Sequence, residues 1–103
     1  MIKSINGSVM TLTLKEDLIA PNVKNFETSI AGYMLELDSI DMEEMVLDLS
    51  NCENIDSIGV TFVVSLYKNV IREGKNFRVS GSNSDIRQLF KLMKLDEFID
   101  LED

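Results

Sequence analysis

The chain has 103 residues, of which 45% are hydrophobic and 27% are charged, so we expect one folded domain over residues 1–103. Its net charge of −8, from 10 basic and 18 acidic residues, argues against a nucleic-acid partner, because nucleic acids require a basic face. The sequence has no apolar run of about 20 residues, no apolar leader segment and a lone cysteine, which together favour a cytoplasmic protein without membrane insertion.

Missing residue types exclude several kinds of catalytic site and leave only carboxylates, serine, lysine and tyrosine for catalysis. The chain has no histidine, which removes the Ser-His-Asp triad and any histidine metal site. One cysteine cannot form a thiolate cage, and the five glycines are scattered rather than gathered in a phosphate-binding loop. We therefore expect a protein that is not an enzyme and that binds no metal and no cofactor.

The first half of the chain predicts two strands and a helix. Residues 2–5 and 9–14 read as paired strands joined by a turn at Asn6-Gly7, and the second of them alternates apolar and hydroxyl residues. Pro21 suits a first helical turn, and the acidic stretch 38–44 reads as a loop. Between them, one helical face is predicted from Val23, Phe26, Ile30, Tyr33 and Leu37.

The second half predicts an alternation of strands and helices. Residues 45–49 form a short apolar run typical of an interior parallel strand, residues 57–73 form the longest helix, and residues 77–80 form another strand. This order predicts an α/β fold with a mixed, mostly parallel sheet of four to five strands, right-handed crossovers and three or more helices. Apolar residues predict the face of a third helix (Ile86, Leu89, Phe90, Met93) and a final segment that packs back onto the domain (Leu95, Phe98, Ile99, Leu101).

Ser57 stands at the start of the longest predicted helix. Its hydroxyl would lie beside unpaired backbone N–H groups and the positive end of the helix dipole, a position that suits a phosphate. The simpler interpretation is an N-cap, with the hydroxyl accepting from the N–H of Gly59 or Val60. Asp56 would then orient this hydroxyl or be the cap itself.

The residues that follow Ser57 also allow two interpretations. Gly59 lets either a partner kinase or a neighbouring element of the same fold approach the backbone closely. Ile58 and Phe62 lie off the centre of the predicted core stripe, so they form either a patch for a partner or the flanks of a broad buried face. That stripe consists of Gly59, Val63, Leu66, Tyr67 and Val70.

Two adjacent segments resemble the STAS family, which comprises bacterial anti-sigma factor antagonists and the tails of sulfate transporters. They are Leu-Asp-Leu-Ser at 47–50 and Ile-Asp-Ser-Ile-Gly-Val at 55–60. The likeness continues to residues 94–99, where Lys94 takes the place of a family glycine. The resemblance implies a STAS-like fold, and in antagonists with this segment a partner kinase phosphorylates the serine after the aspartate, here Ser57.

The resemblance implies a regulatory function without catalysis. The protein would bind an anti-sigma factor with serine kinase activity, phosphorylation of Ser57 would switch that binding off, and a phosphatase acting on Ser57 would restore it. Before the first helix, Glu16 and Ile19 stand where many phosphorylated members have glycine and aspartate, so Asp17 is the candidate for a nearby carboxylate. The predicted partner-binding residues are Asp17, Asp56, Ser57, Ile58, Gly59 and Phe62.

Three other functions remain open from the sequence. The domain could be a STAS subunit that docks constitutively in a transport or chemosensory assembly through the same face. It could bind a small ligand or a nucleotide at the start of the helix. A small hydrolase with Ser57 as nucleophile is disfavoured, because the chain lacks both histidine and a Gly-x-Ser-x-Gly elbow.

Overall fold

The computed structural model describes residues 1–38 and 41–102. The elements follow the predicted order, with a 3₁₀ turn at Leu95–Glu97 before the last strand. They are β1 (Ile2–Asn6), β2 (Val9–Thr13), α1 (Ala20–Leu37), β3 (Glu44–Asp48), α2 (Ser57–Arg72), β4 (Asn76–Ser80), α3 (Ser84–Leu92) and β5 (Asp100–Glu102). None of the helices in this part of the chain is both long and apolar enough to cross a membrane.

The five strands form one sheet in the order β1-β2-β3-β4-β5. β1 pairs antiparallel with β2, whereas every later pair is parallel. The prediction of a mixed, mostly parallel sheet is confirmed, and β3 has a neighbour on each side as its apolar sequence requires. The predicted strand at 45–49 is observed one residue earlier, at Glu44–Asp48.

All three helices pack on one face of the sheet. In register across the three central strands, Met10 pairs with Met45 and Met45 with Phe77, and all three side chains are buried. The residues that alternate with them point to the opposite face, where Val46 at 5% exposure lies outside the main core cluster. That cluster joins the sheet to buried residues from each helix, including Phe26 of α1, Leu66 of α2 and Phe90 of α3.

Two predicted turns and loops need correction. The hairpin turn lies at Gly7 and Ser8 rather than at Asn6-Gly7, because Asn6 still pairs with Val9 in the ladder and Gly7 takes the positive φ of +63°. The predicted loop at 38–44 is shorter than expected, since Glu44 already belongs to β3. Residues 39 and 40 of that loop lie outside the described residues.

The C-terminal segment packs back only in part. Ile99 is 2% exposed, as predicted for this segment, but Phe98 is 64% exposed and does not join the core. The segment ends in β5, which lies parallel to β4. Lys94, which replaces the family glycine, adopts φ 59° and ψ 26°. A side chain with a Cβ is disfavoured in this left-handed region, so the end of α3 carries backbone strain.

Candidate functional site

Three loops meet at one edge of the sheet, and α2 begins there. Because the carboxyl ends of parallel strands share an edge, the segments that follow β2, β3 and β4 lie side by side. Hydrogen bonds join them: Leu18 N–H donates to the Asn54 carbonyl at 3.1 Å, and the Asn83 side-chain amide donates to the Glu53 carbonyl at 3.1 Å. The start of α2 is therefore held by contacts from three parts of the chain.

Asp56, and not Ser57, is the N-cap of α2. One carboxylate oxygen of Asp56 accepts from the N–H of Gly59 at 2.8 Å, and the other accepts from the N–H of Ala20, the first residue of α1, also at 2.8 Å. The residue before α1, Ile19, offers no side-chain cap, so Asp56 serves the starts of both helices. Of the two capping interpretations, the one with Asp56 as the cap itself is confirmed, and the one with the Ser57 hydroxyl as the cap is wrong.

Asp17 stabilises the loop before α2 through hydrogen bonds to its carboxylate. Its carboxylate accepts from the N–H of Glu53 at 2.8 Å and from the side-chain amide of Asn54 at 3.0 Å. The Cys52 thiol donates to the carbonyl of Glu16, at 3.0 Å between sulfur and oxygen. Asp17 is thus engaged in positioning this loop, and its role as a partner contact stays a prediction.

These hydrogen bonds favour the ionised form of the Asp56 and Asp17 carboxylates. Hydrogen bonds from Ala20 and Gly59 hold the pKa of Asp56 below its ordinary value of 3.8. The pKa of Asp17 is lowered in the same way, mainly by the Asn54 side chain and then by the Glu53 N–H. Both carboxylates are therefore ionised at neutral pH. Burial raises the pKa of the Cys52 thiol to about 11, so this cysteine stays protonated and packs as a small apolar group.

Ser57 occupies the first position of α2 and is exposed. It borders a shallow groove of about 310 Å³ between the start of α2 and the end of α3. Leu89 and Met93 supply the α3 side of this groove, and Met93 is 49% exposed. The sequence placed both residues on the core face of α3, so their position beside Ser57 became visible only in the fold. One sign of this position is present in the sequence: the apolar stripe of α3 continues past Phe90 to Met93, although Phe90 is the last buried residue of the helix.

Gly59 is required by the fold itself. A Cβ at this position would lie 1.9 Å from the Leu18 carbonyl oxygen and 2.8 Å from its carbonyl carbon. Leu18 forms an isolated parallel bridge with Ile55, so the backbone in contact with Gly59 cannot move aside easily. Of the two interpretations of Gly59, close packing within the domain has a direct structural reason.

Ile58 and Phe62 have different surroundings, although they lie one turn apart. Ile58 is 48% exposed next to Ser57, as a partner contact requires. Phe62 is 6% exposed, and its ring lies 5.9 Å from the ring of Phe26 in α1. Ile58 is therefore available at the surface, whereas Phe62 mainly fixes α2 against α1.

Solved structures of known proteins share this fold. A candidate anti-sigma factor antagonist from Thermotoga maritima matches with a TM-score of 0.87 and 21% identity, covering 99% of this chain and 85% of that chain. SpoIIAA, an anti-sigma factor antagonist solved in its unphosphorylated form, matches with a TM-score of 0.71 and 12% identity, covering 97% and 84%. The murine anion transporter Slc26a9 matches with a TM-score of 0.78 and 15% identity, covering 92% of this chain but 15% of the transporter.

Sequence comparison identifies the family. Among curated proteins, no sequence matches this chain significantly. The family model described as the STAS domain, in contrast, matches residues 1–103. This match agrees with the strand order, with the helix that begins at Ser57 and with the structural likenesses above, and the chain therefore belongs to the STAS domain family.

Proposed function

We propose that this protein is a cytoplasmic anti-sigma factor antagonist whose binding to an anti-sigma factor with serine kinase activity is switched off by phosphorylation of Ser57. A phosphatase that removes the phosphate restores binding. The domain acts by docking and performs no catalysis of its own.

The proposal rests on one observation: Asp56 caps α2, whereas Ser57 beside it is exposed. Asp56 supplies the carboxylate that caps α2, so the exposed Ser57 hydroxyl is not needed to hold the helix. A kinase can then modify Ser57 without removing a structural hydrogen bond. The half-exposed Ile58 and the groove at Met93 give a partner apolar surface on either side of the hydroxyl.

Phosphorylation acts on the interface rather than on the fold. A phosphate adds about −1.5 to −2 charges at pH 7, beside the ionised Asp56. Inside the domain, the positive end of the α2 dipole partly offsets this charge. A partner packed over Ile58 and Met93 would instead bury a dianion next to apolar atoms, which is unfavourable. The partner therefore leaves while the domain keeps its structure.

Phosphopeptide mapping after incubation with the cognate anti-sigma factor kinase and ATP tests this function. We expect label on Ser57 and none in the Ser57→Ala protein. Label on Ser82 or Ser84 in the Ser57→Ala protein would show that the assignment of the site is wrong.

The likeness to an anion transporter supports a second candidate, constitutive docking as a subunit of a transport or chemosensory assembly. This function needs the same exposed face but no modification of Ser57. Co-purification from the native host with and without phosphatase treatment separates the two. Recovery of a kinase-like ATPase that depends on phosphatase treatment supports the antagonist function. Equal recovery of a permease complex with and without phosphatase supports constitutive docking.

A further inference from the structure

A second, larger groove of about 550 Å³ runs between the outer surfaces of α1 and α2. Its lining includes three almost fully buried apolar residues, Ile30, Phe62 and Leu66. On α2 the lining runs from Ile58 to Asn69, which corresponds to about 16 Å of helix, or three turns. The remaining lining residues are Glu27, Ala31, Met34, Thr61 and Ser65.

The shape of this groove matches a helix better than a small molecule. Small-molecule sites enclose most of the ligand surface and place a few polar groups around it. Here the groove is open to solvent, and its lining combines apolar residues with the polar α2 residues Thr61, Ser65 and Asn69. An open apolar groove between two helices is a known site for the apolar face of an amphipathic helix.

Charge and position indicate what kind of helix would bind. Glu27 is the one charged side chain among the described residues that line the groove, and the chain as a whole carries −8. Ile58 lies at the α2 start of this groove, Ser57 lines the smaller groove, and Thr61 lines both. The two grooves therefore form one continuous surface on either side of the first turn of α2.

We propose that the α1–α2 groove binds an amphipathic helix with a basic flank, supplied by the same partner that contacts Ser57. The identity of the partner rests on the proposed function, whereas the groove can be tested without it. The apolar stripe of that helix packs on Ala31, Met34 and Ile58, which keep accessible surface in the groove, and a lysine or arginine lies against Glu27. Phosphate on Ser57 disrupts the smaller groove and thereby releases the whole partner, whereas an isolated helix that contacts only the α1–α2 groove stays bound.

A labelled peptide tests the groove directly at physiological ionic strength. The probe is a fluorescein-labelled 14-residue peptide with leucines at helical spacing and lysines elsewhere, compared with a scrambled peptide of the same composition. Fluorescence anisotropy should show binding of the first peptide, and amide shifts in NMR spectra should concentrate at Ala31, Ile58 and Ser65. Equal binding of the scrambled peptide, absence of binding, or shifts confined to α3 or to the open sheet face would overturn the proposal.

Matched variants on α1 separate groove binding from general attraction between opposite charges. Ala31→Arg fills the groove and repels lysines. The affinity of the peptide for this variant should therefore fall about tenfold or more, or by about 1.4 kcal/mol. Asn25→Arg places the same charge on an exposed α1 position outside the groove and should lower affinity far less. An equal loss in both variants would contradict the proposal. Ser57→Asp should not weaken peptide binding, although it weakens binding of the whole partner, so a failure of the groove proposal is distinct from a failure of the phosphorylation switch.

Discussion

The beginnings and the ends of the helices use charged residues in opposite ways. Where α1 and α2 begin, the Asp56 carboxylate accepts hydrogen bonds from both helices and its pKa is lowered. The same two helices end at Asp38 and Glu73, whose carboxyl groups lie close together. The pKa of Glu73 is raised, mainly by its hydrogen bond with Asp38 and also by the negative charge of Asp38. Because negative charge stabilises a helix start and destabilises a helix end, Asp56 stabilises α1 and α2, whereas Asp38 and Glu73 do not.

The largest expected effect concerns the close contact that fixes the start of α2. Gly59→Ala forces a Cβ against the Leu18 carbonyl, and overpacking of this kind should lower the free energy of unfolding by about 3 kcal/mol. Urea denaturation measures the change. The control is Gly32→Ala in α1, where a Cβ meets nothing within 4 Å, and we expect a gain of about 0.5–1 kcal/mol. Similar effects of both substitutions would mean that the Leu18 contact does not constrain α2.

The second-largest effect is expected at Asp56, the N-cap that α1 and α2 share. Asp56→Asn keeps one acceptor for Gly59 but cannot also accept from Ala20, so it should lower the thermal midpoint, and Asp56→Ala should lower it further. The ionised carboxylate stabilises the fold fully above the ordinary Asp pKa of 3.8, and this stabilisation is lost as the pH falls through the lowered pKa of the folded state. The difference between wild type and Asp56→Asn should therefore disappear in strong acid. A difference that persists there would contradict the electrostatic account of the cap.

At the end of α3, the strained backbone should be relieved by the family residue. Lys94→Gly removes the Cβ from a left-handed conformation and should raise the free energy of unfolding by about 1 kcal/mol. Lys94→Ala is the control, because it loses the same charge but keeps the Cβ. Equal stability of the two variants would show that charge, and not backbone conformation, accounts for the change.

The smallest effect concerns the acidic pair at the ends of α1 and α2. Glu73→Gln should stabilise the protein slightly at neutral pH, because it removes the repulsion from Asp38. Since the pKa of Glu73 is raised in the folded state, wild type is penalised above that pKa and relieved as the pH falls towards and below the ordinary Glu value of 4.5. Thermal melts of both proteins across this range measure the gain. A gain that does not shrink in acid would contradict the pairing.

The order of the elements and the central place of β3 could be predicted because they depend on local apolar patterns. The start of α2 at Ser57 was also evident, but the identity of its cap was not. Asp56 and Ser57 are both good capping residues, and the choice depends on the N–H of Ala20, which belongs to a distant part of the sequence. The groove at Leu89 and Met93 and the exposure of Phe98 likewise depend on how α3 packs, which no local pattern specifies.

The central claim is that Ser57 controls binding and does not hold the fold. Calorimetric titration of the cognate anti-sigma factor with the unmodified, Ser57→Ala, Ser57→Asp and phosphorylated proteins tests it most directly. We expect similar affinities for the unmodified and Ser57→Ala proteins, since Asp56 caps α2 in both. Ser57→Asp should bind more weakly and the phosphorylated protein weakest, with each tenfold loss corresponding to about 1.4 kcal/mol. Equal affinities for all four proteins would contradict the switch and indicate a constitutive docking subunit.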